Sequence, residues 1–391
     1  MNILILSPFS PYPINQGGKI RIFNIIKNLS RSNSVTLVAI VDDLLQSESG
    51  PLKDLCDEVV FVERPPKLWR DRLAFLFGRE PYNFIRYSSN QIKEELHRLL
   101  LKKSFDIVQI EFPMMWQYAY IFKDIPIVLD ALNIEYEIVR QIKGIYKNPI
   151  RKILYVIEEK KFRRREEKAW AECSLCFAVS DRERNFIRSY LGNYDKVFTI
   201  PNGVDLEKYE YCPRDRTDKR VLFLGSMDYQ PNLDSVQYFL EEIFPLVKSR
   251  ITDVKLDIVG RELWKITDCF SANGVELHEN VPEVLPYFRK ADVLVVPLRY
   301  GAGTRTKILE AMATGLPVVT TSKGCEGLEV TNEDHLLVAD SPKDIADAIL
   351  TLMMDTRLTK RLVFKARHLV EEKYSWVKIT QMIEEALVTL L

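Results

Sequence analysis

The chain has 391 residues, with 55 basic and 55 acidic side chains, so its formal net charge is zero. That length exceeds one ordinary domain and fits two domains of roughly 190 residues each. The charge balance argues against a general nucleic-acid-binding protein, because such a protein needs a basic excess to neutralise phosphates. We therefore expect no nucleic-acid partner.

Cysteine content and hydropathy indicate where the protein works. Six cysteines are sparse for this length and form no framework, which is typical of a reducing cytosol. The longest uncharged apolar stretch, 112–122, is about half of the roughly 20 residues that a bilayer-spanning helix needs. The N-terminal apolar run is too short for a signal peptide and predicts a buried strand. We expect a cytoplasmic protein.

Short apolar runs alternate with helical patterns along both halves of the chain. Continuous β-branched runs separated by helices are typical of parallel sheets covered on both faces. We predict strands at 2–6, 35–40, 59–62, 107–110, 127–129, 175–179 and 197–200, and in the second half at 221–224, 256–259, 293–296 and 318–320. The clearest predicted helices are at 19–29, 90–102 and 182–190, with a further helix opened by Ser341 as its cap.

A turn-rich segment, 201–205, follows the last predicted strand of the first half. The polar stretch 209–219 comes after it and has the character of a linker. The sequence therefore predicts an α/β protein of two doubly wound, Rossmann-like domains, 1–202 and 207–372. If the two domains face each other across a cleft, the carboxyl ends of both sheets meet there, where open α/β sheets bind ligands.

The segment 297–319 carries the most informative pattern. A strand is predicted to end at Val296, a glycine-bearing loop follows, and a helix is predicted to begin near Thr304. Gly301 and Gly303 let the backbone approach a ligand closely. The free N–H groups at the start of the helix then form an anion site.

Two cations, Arg305 and Lys307, fall in the first turn of that helix. Cations are unfavourable there, because a helix N-terminus carries about half a positive charge. A bound anion explains them, since Arg grips a phosphate with two donors and Lys acts as a point charge. Glu310 lies near the same side and is predicted to accept hydrogen bonds from sugar hydroxyls. The alternative is an exposed Lys307–Glu310 pair on a surface helix, and the pattern favours a diphosphate site.

The run 310–319 resembles the signature of glycosyltransferase family 4, also called the glycosyl transferases group 1, whose members are retaining enzymes of the GT-B fold. The resemblance covers nearly the whole chain, with the motifs in the family's order. The other matching segments are 16–21, 178–180, 201–205, 222–232, 258–260, 291–297 and 374–376. By this resemblance the last helix, at about 376–391, packs back on the first domain.

The resemblance implies a nucleotide-sugar donor on the second domain and an acceptor, a polysaccharide, lipid-linked or other glycan, on the first. Arg305, Lys307 and Glu310 would be the catalytic residues, with Glu310 on the ribose hydroxyls. The implied donor-binding residues also include Gly225, Ser226, Gly260, Gly301, Gly303 and Thr304, and the backbone near Val281 and Pro282 at the base. The implied acceptor-side residues are Gly17, Gly18, Arg21 and Asn133. The protein's main task would be to stabilise charge on the departing diphosphate.

Three positions depart from the family pattern. The family often has a glutamate eight positions before the ribose-binding one, and this chain has Ala302. Many members have a basic pair after the first strand of the second domain, whereas 226–232 contains no Lys or Arg. Many also have a histidine after the fifth strand, where this chain has Leu132. A subset of the family with a Gly-Xaa-Gly-Thr-Arg-Xaa-Lys loop also lacks this basic pair. By that resemblance, Arg305 and Lys307 would supply the positive charge for the diphosphate in this chain.

Other kinds of site are weaker. Cys173 and Cys176 have no second pair to complete a metal site and are interpreted as small buried residues of a strand. The histidines are scattered and no Asp-Xaa-Asp triplet occurs, so we expect no essential metal. The glycines after the first strand do not have dinucleotide-binding spacing, which argues against a dehydrogenase. We expect no cofactor besides the donor.

Two stretches, 66–87 and 151–168, combine basic and apolar residues. Basic helices with apolar faces bind anionic lipid surfaces, so peripheral contact with the inner face of the cell membrane is one hypothesis. Helices packed by one face on their own domain are the alternative.

Three functions stay open at this point. A retaining, metal-independent glycosyltransferase is the main prediction. A nucleotide-sugar epimerase of the same architecture would need acid/base residues facing the sugar, and no clear set is present. A catalytically silent nucleotide-sugar-binding protein is supported by the departures at Ala302 and Leu132.

Overall fold

The computed structural model describes residues 1–14, 16–45, 47–145, 148–192, 195–212, 218–269, 274–301 and 305–391. The chain divides into two compact units. Unit 1 comprises Met1–Pro201 together with Ile379–Leu391, and unit 2 comprises Asn202–Lys378.

Unit 1 is built on a seven-stranded parallel sheet. Its strands are β1 (Asn2–Ser7), β2 (Ser34–Val41), β3 (Glu58–Glu63), β4 (Ile107–Glu111), β5 (Ile127–Ala131), β6 (Leu175–Ala178) and β7 (Val197–Thr199). They lie in the order β3-β2-β1-β4-β5-β6-β7. The strand order reverses between β1 and β4, which is the position at which such sheets bind ligands beyond their carboxyl ends.

The helices of unit 1 connect these strands and cover the sheet. They are α1 (Gly17–Leu29), α2 (Leu52–Leu55), α3 (Trp69–Phe77), α4 (Tyr82–Arg86), α5 (Asn90–Lys102), α6 (Glu135–Ile145), α7 (Pro149–Glu172) and α8 (Asp181–Leu191), with a 3-10 helix at Pro113–Ile121. The side chains of the inner strands are almost wholly buried, as in β1, where Ile3 to Leu6 have no exposed surface, whereas those of the edge strands β3 and β7 are mostly half-buried.

Unit 2 is built on a six-stranded parallel sheet. Its strands are β8 (Arg220–Leu224), β9 (Lys255–Gly260), β10 (Val275–Glu279), β11 (Val293–Val296), β12 (Val318–Thr320) and β13 (Leu337–Val338), in the order β10-β9-β8-β11-β12-β13. The order reverses between β8 and β11, so the carboxyl ends of these two strands flank the expected binding position. Two apolar clusters lie on the two faces of this sheet.

The helices of unit 2 follow the same alternating pattern. They are α9 (Gln230–Tyr238), a π-helical turn (Phe239–Ile243), α10 (Phe244–Arg250), a 3-10 helix (Leu263–Cys269), α11 (Leu285–Lys290), α12 (Thr306–Thr314), α13 (Pro342–Met354), α14 (Thr356–Leu369) and a second π-helical turn (Val370–Tyr374). As predicted, Ser341 caps α13, its hydroxyl accepting a hydrogen bond from the Asp344 amide. None of the described helices has the length and apolar character that crossing a bilayer requires.

The last helix, α15 (Trp376–Val388), begins in unit 2, and its residues from Ile379 onward belong to unit 1. Three of these residues, Ile379, Ile383 and Leu387, are fully buried on one face of the helix. Glu384 accepts hydrogen bonds from the side chains of Ser32 (2.5 Å) and Asn33 (2.7 Å), at the turn between α1 and β2.

The strands predicted from continuous apolar runs are all confirmed, whereas β10 and β13 were not predicted. β10 alternates polar and apolar residues at the edge of its sheet, and β13 has only two residues. The helix predicted to begin near Thr304 begins at Thr306. The placement of Cys173 in a strand is wrong, because this residue ends α7, while Cys176 lies in β6; both are buried.

Candidate functional site

The loop before α12 packs closely on its surroundings. Gly301 has φ +122°, a conformation that favours glycine. A Cβ at this position would lie 3.0 Å from Arg305 Nη2 and 3.1 Å from Tyr229 Oη, so a larger residue would displace both side chains. The predicted donor-binding residues Gly303 and Thr304, together with Ala302, lie outside the described residues.

The Arg305 side chain is buried and the Lys307 side chain is half-buried. The Arg305 side chain is hydrogen-bonded to Tyr229, and burial lowers the pKa of its guanidinium. Lys307 Nζ donates to the carbonyl of Leu224, the last residue of β8, and to Asn232 Oδ1 at 3.3 Å. Burial, helped by the nearby Arg305 charge, lowers the pKa of Lys307 to about 7. The first turn of α12 therefore carries a lysine at the carboxyl end of β8.

Glu310 lies one turn further along α12. Its Oε1 accepts a hydrogen bond of 3.0 Å from the Tyr209 hydroxyl. Burial raises the pKa of Glu310, and the hydrogen bond from Tyr209 opposes that shift. Tyr209 fixes the orientation of the carboxyl group, because its own ring packs edge-on against Phe288 at 6.0 Å.

The turn after β8 lies directly against the end of β9. Gly225 N donates to the Val259 carbonyl at 2.9 Å, and a Cβ on Gly260 would lie only 1.9 Å from the Gly225 carbonyl oxygen. Asn232 Nδ2 donates to the Ser226 carbonyl at 3.0 Å. The structure thus brings Gly225, Ser226 and Gly260 together, and Asn232 links this turn to Lys307.

Replacing Gly260 by alanine is expected to destabilise unit 2 by about 1–3 kcal/mol, the usual range for overpacking. The added methyl group must push the Gly225 backbone away from β9. We also expect weaker nucleotide binding, because this turn shapes the site that contains Lys307. Thermal unfolding checks the first effect and nucleotide titration the second. A matched variant, Gly144→Ala, has nothing within 4 Å of its Cβ and tests whether any Gly→Ala change has the same effect.

Arg261 is a residue that the sequence analysis missed. Its Nε donates to Ser226 Oγ at 3.2 Å, and its Nη2 lies 3.3 Å from Asp228 Oδ2. It therefore brings a cation to the turn after β8, where 226–232 contains none. The feature of the sequence that could have identified Arg261 is its position directly after Gly260, at the carboxyl end of β9.

An open cavity of about 420 Å³ lies at the carboxyl ends of β9 and β10. Its lining residues are Asp228, Arg261, Glu262, Trp264, Glu279 and Asn280. Asn280 N donates to the Gly260 carbonyl at 2.9 Å, and the predicted base-binding residues Val281 and Pro282 follow it directly. Pro282 is exposed and Val281 is half-buried.

In unit 1, the two predicted glycines form the start of α1 and differ in their surroundings. Gly17 has open space where a Cβ would lie, whereas a Cβ on Gly18 would lie 3.1 Å from the Phe9 ring and 3.3 Å from the Phe112 ring. These two rings pack edge to face at 5.5 Å, beside the buried Leu132. The start of α1 is therefore lined by apolar groups.

Arg21 lies in the interior of unit 1. Its Nε and Nη2 donate to the two carboxylate oxygens of Asp130 at 2.8 and 3.0 Å, and its Nη1 donates to the Pro201 carbonyl at 2.9 Å. Both members of this ion pair have no exposed side-chain surface. Because Arg21 is buried, it does not contact a ligand itself. It acts on a ligand only by holding α1, β5 and Pro201, the last residue of the segment Met1–Pro201, in place.

The predicted acceptor-side residue Asn133 follows β5 and is half-buried. Its Nδ2 lies 3.4 Å from Glu135 Oε1. Burial raises the pKa of Glu135 to about 7, against the effect of the hydrogen bond from Asn133. A carboxyl group with a raised pKa thus lies beside Asn133.

The described residues include one group with metal-ligand spacing, Asp257, Glu276 and His278, whose ligand atoms lie within 4.8 Å of one another. Arg220 Nη1 already forms ion pairs with two of these residues, at 2.7 Å from Asp257 Oδ1 and 3.1 Å from Glu276 Oε2. A guanidinium repels a metal ion, so we interpret the group as an ion-pair network.

The amino-acid sequence matches two family models. The Glycosyltransferase Family 4 model matches residues 17–208, and the Glycosyl transferases group 1 model matches residues 218–355. The two matches follow one another along the chain and together cover most of it.

Individual proteins show the same similarity. An uncharacterized 44.6 kDa protein in the cps region of Klebsiella pneumoniae is 24% identical over 403 residues, 97% of this chain and 98% of that protein. The phosphatidyl-myo-inositol mannosyltransferase of Mycobacterium leprae (strain TN) is 31% identical over 217 residues, 53% of this chain and 56% of that protein. This chain therefore matches about half of the mannosyltransferase's length.

Among solved structures, HepE of Anabaena in complex with UDP covers 100% of both chains, with 16% identity and a TM-score of 0.73. That likeness and the two parallel Rossmann-like sheets confirm the predicted GT-B fold. With both family models matched in chain order, the protein belongs to the glycosyltransferases of family 4 and group 1.

Proposed function

We propose that the protein transfers a sugar from a nucleoside-diphosphate donor to a glycan or lipid-linked acceptor, with retention of anomeric configuration and without a metal ion. The observation that carries this proposal is the arrangement at the start of α12. There Lys307 reaches the carboxyl end of β8, and Arg305 lies buried beside Tyr229. Open α/β sheets bind nucleotides at this edge.

The two cations, Arg305 and Lys307, are suited to stabilising the leaving diphosphate. Negative charge develops on the leaving phosphate, and preorganised positive groups in a dry site stabilise it strongly. Lys307 Nζ is hydrogen-bonded to two neutral acceptors, so its charge can be used for a phosphate. Arg305, the residue directly before α12, adds a second cation, and together the two side chains supply the charge that a metal ion provides elsewhere. The donor is then the only small molecule that the reaction needs besides the acceptor.

Glu310 is suited to the ribose of the donor. A carboxylate accepts hydrogen bonds from two neighbouring hydroxyl groups, and the bond from Tyr209 fixes its orientation. The base would lie at the cavity beside Val281 and Pro282. The HepE structure, which contains UDP, supports a uridine nucleotide as the first candidate.

We propose that the acceptor binds unit 1, at the start of α1 and near Asn133. The mannosyltransferase relative, named for a phosphatidyl-myo-inositol substrate, supports a lipid-linked acceptor. Such an acceptor would bring the enzyme to a membrane surface.

A thermal-shift screen with UDP, GDP, ADP and CMP tests the donor site. Ligand at about 100 times Kd stabilises a protein by about 2.7 kcal/mol, which corresponds to a rise in Tm of roughly 5–10 °C for a unit of this size. We expect such a rise with one nucleoside diphosphate and a smaller one with its monophosphate. The matching sugar conjugates then enter a transfer assay, with the product anomer determined by NMR and EDTA added as the test for metal. An absence of any shift with all the diphosphates would contradict the proposal.

A nucleotide-sugar-binding protein without transfer activity is the second candidate. It is favoured by Leu132, which is buried against Gly18 and offers no hydrogen bond at the position of the family's histidine. Binding of a nucleotide sugar without hydrolysis or transfer would support this candidate over the first.

A further inference from the structure

The helix α3 exposes an apolar face to solvent. Trp69, Leu73, Leu76 and Phe77 recur at the spacing of one side of a helix. Trp69 is 75% exposed and Phe77 is 86% exposed, and the two leucines are more than two-fifths exposed. We call these four residues the α3 surface. So many large apolar side chains on nine residues are unusual for a face in contact with water.

The α3 surface is flanked by cations. Lys67, Arg70, Arg72 and Arg79 are all exposed, and none of them has an ion-pair partner within the part of the chain that the structure describes. The acidic residue of the helix, Asp71, accepts a hydrogen bond from Leu68 N at 2.9 Å and forms an ion pair with Arg86 rather than with these four cations. The surface therefore presents an excess of positive charge around its apolar centre.

The opposite side of α3 holds the helix firmly in unit 1. Phe75 is buried and packs edge-on against Tyr82, with 6.1 Å between the ring centroids. The centroid of the Phe75 ring lies 4.6 Å from Lys161 Nζ. Lys161 also donates to the Phe75 carbonyl, and Arg86 Nη1 lies 3.6 Å from Asp71 Oδ2. Because these contacts fix the helix, the exposure of its outer face is a property of the folded protein.

We propose that the α3 surface docks this protein on an anionic lipid bilayer. Trp, Leu and Phe side chains enter the boundary between headgroups and acyl chains, and flanking Lys and Arg side chains contact lipid phosphates. Unpaired cations around an apolar centre suit a surface of many negative headgroups, and Trp is enriched at such interfaces. The segment also follows β3 at the carboxyl edge of the unit 1 sheet, the edge to which the acceptor is assigned. The docking surface does not depend on the proposed transfer reaction.

Flotation of the full-length chain with lipid vesicles tests this proposal, without any donor present. One set of vesicles contains phosphatidylcholine alone, and the other contains phosphatidylglycerol as about a third of the lipid. We expect binding to the anionic vesicles at about 0.1 M salt and at least a tenfold loss at about 1 M salt, where charge is screened within a few ångströms. Binding to the phosphatidylcholine vesicles is expected to be at least about tenfold weaker.

Two double variants test the apolar residues of the α3 surface and the cations around it separately. Trp69→Ser with Phe77→Ser removes the largest apolar groups, and Arg70→Glu with Arg72→Glu reverses the charge. Each is expected to reduce vesicle binding at least about tenfold. Leu101→Ser is the matched control, because Leu101 is 91% exposed on α5 of the same unit. Thermal unfolding shows whether each variant is folded.

Hydrogen exchange of the unaltered chain gives an independent measurement. Anionic vesicles are expected to slow exchange of residues 67–79 and to leave α5 unchanged. Undiminished flotation of both double variants would overturn the proposal, as would an equal loss in Leu101→Ser. Self-association that the Trp69→Ser, Phe77→Ser variant abolishes, without vesicle binding by the parent chain, would instead identify a second copy as the occupant.

Discussion

Replacing Arg21 by methionine is expected to lower the free energy of unfolding of unit 1 by about 3–5 kcal/mol, the usual result of breaking a buried ion pair by removing one partner. Asp130 then keeps its burial and loses both hydrogen bonds from the guanidinium. Its neighbour on β4, Glu111, is also fully buried, and burial together with Asp130 raises the pKa of that carboxyl. Removal of Arg21 therefore leaves two adjacent buried carboxyl groups without their cation.

Hydrogen exchange of the amides in β1, β4 and β5 measures this effect within unit 1 alone. Arg250→Met is the control, because the Arg250–Asp347 pair is exposed on unit 2 and should leave these amides unchanged. The double variant Arg21→Met with Asp130→Leu should recover much of the loss, since apolar replacements of a buried pair are often neutral or stabilising. A loss below about 1 kcal/mol in Arg21→Met would show that the pair contributes no more than a surface ion pair.

Replacing Lys307 by methionine is expected to weaken nucleoside-diphosphate binding about 10- to 150-fold. That range corresponds to the roughly 1.5–3 kcal/mol of a hydrogen bond to a charged group. Methionine keeps most of the side-chain volume, so the loss reports the charge. Lys343→Met is the matched control, since this lysine is also in the first turn of a helix of unit 2 and is exposed. Isothermal titration with the diphosphate identified by screening measures both variants.

The pH dependence of diphosphate binding tests the role of Lys307 in a second, independent way. The pKa of Lys307 is lowered to about 7 in the ligand-free protein, and a bound diphosphate must raise it. Well below pH 7 the lysine is protonated before and after binding, so Lys307 makes no contribution to the pH dependence of affinity there. Above pH 7 binding takes up a proton, and Kd should rise by up to about tenfold per pH unit. The diphosphate completes its own last ionisation near pH 6, below this window.

In Lys307→Met this rise in Kd above pH 7 should disappear, while Lys343→Met should retain it. Titrations in buffers of different ionisation enthalpy would detect the proton uptake directly. A Kd that stays constant from pH 7 to pH 9 in the unaltered protein, or an unchanged Kd in Lys307→Met, would contradict the assignment of Lys307 to the diphosphate.

The predictable part of the fold is the part with two buried faces. β2 has continuous β-branched and apolar residues because helices cover the sheet on both sides, and that pattern identifies a strand without ambiguity. β10 carries Glu276 and His278 at the sheet edge, where polar groups are accommodated, so its sequence has no strand signal of that kind. Burial on both faces is therefore what makes a strand readable from sequence.

The same distinction holds for the candidate site. Arg305 and Lys307 could be found because two cations at the start of a helix conflict with its dipole, and that conflict is visible within a few residues. Arg261 and Tyr209 could not be found in this way. Their partners, Ser226 and Glu310, lie 35 and 101 residues away in the sequence, and only the fold brings them together.

The division of α15 between the two units has a consequence for synthesis of the protein on the ribosome. Ser32 and Asn33 receive their partner Glu384 only after the whole of unit 2 has been translated. At about 5–20 residues per second, the roughly 190 residues after Pro201 take roughly 10–40 s to add. During that interval the nascent unit 1 lacks the buried side chains of Ile379, Ile383 and Leu387. Completion of unit 1 therefore waits until unit 2 and α15 have been synthesised, although most of unit 1 is synthesised first.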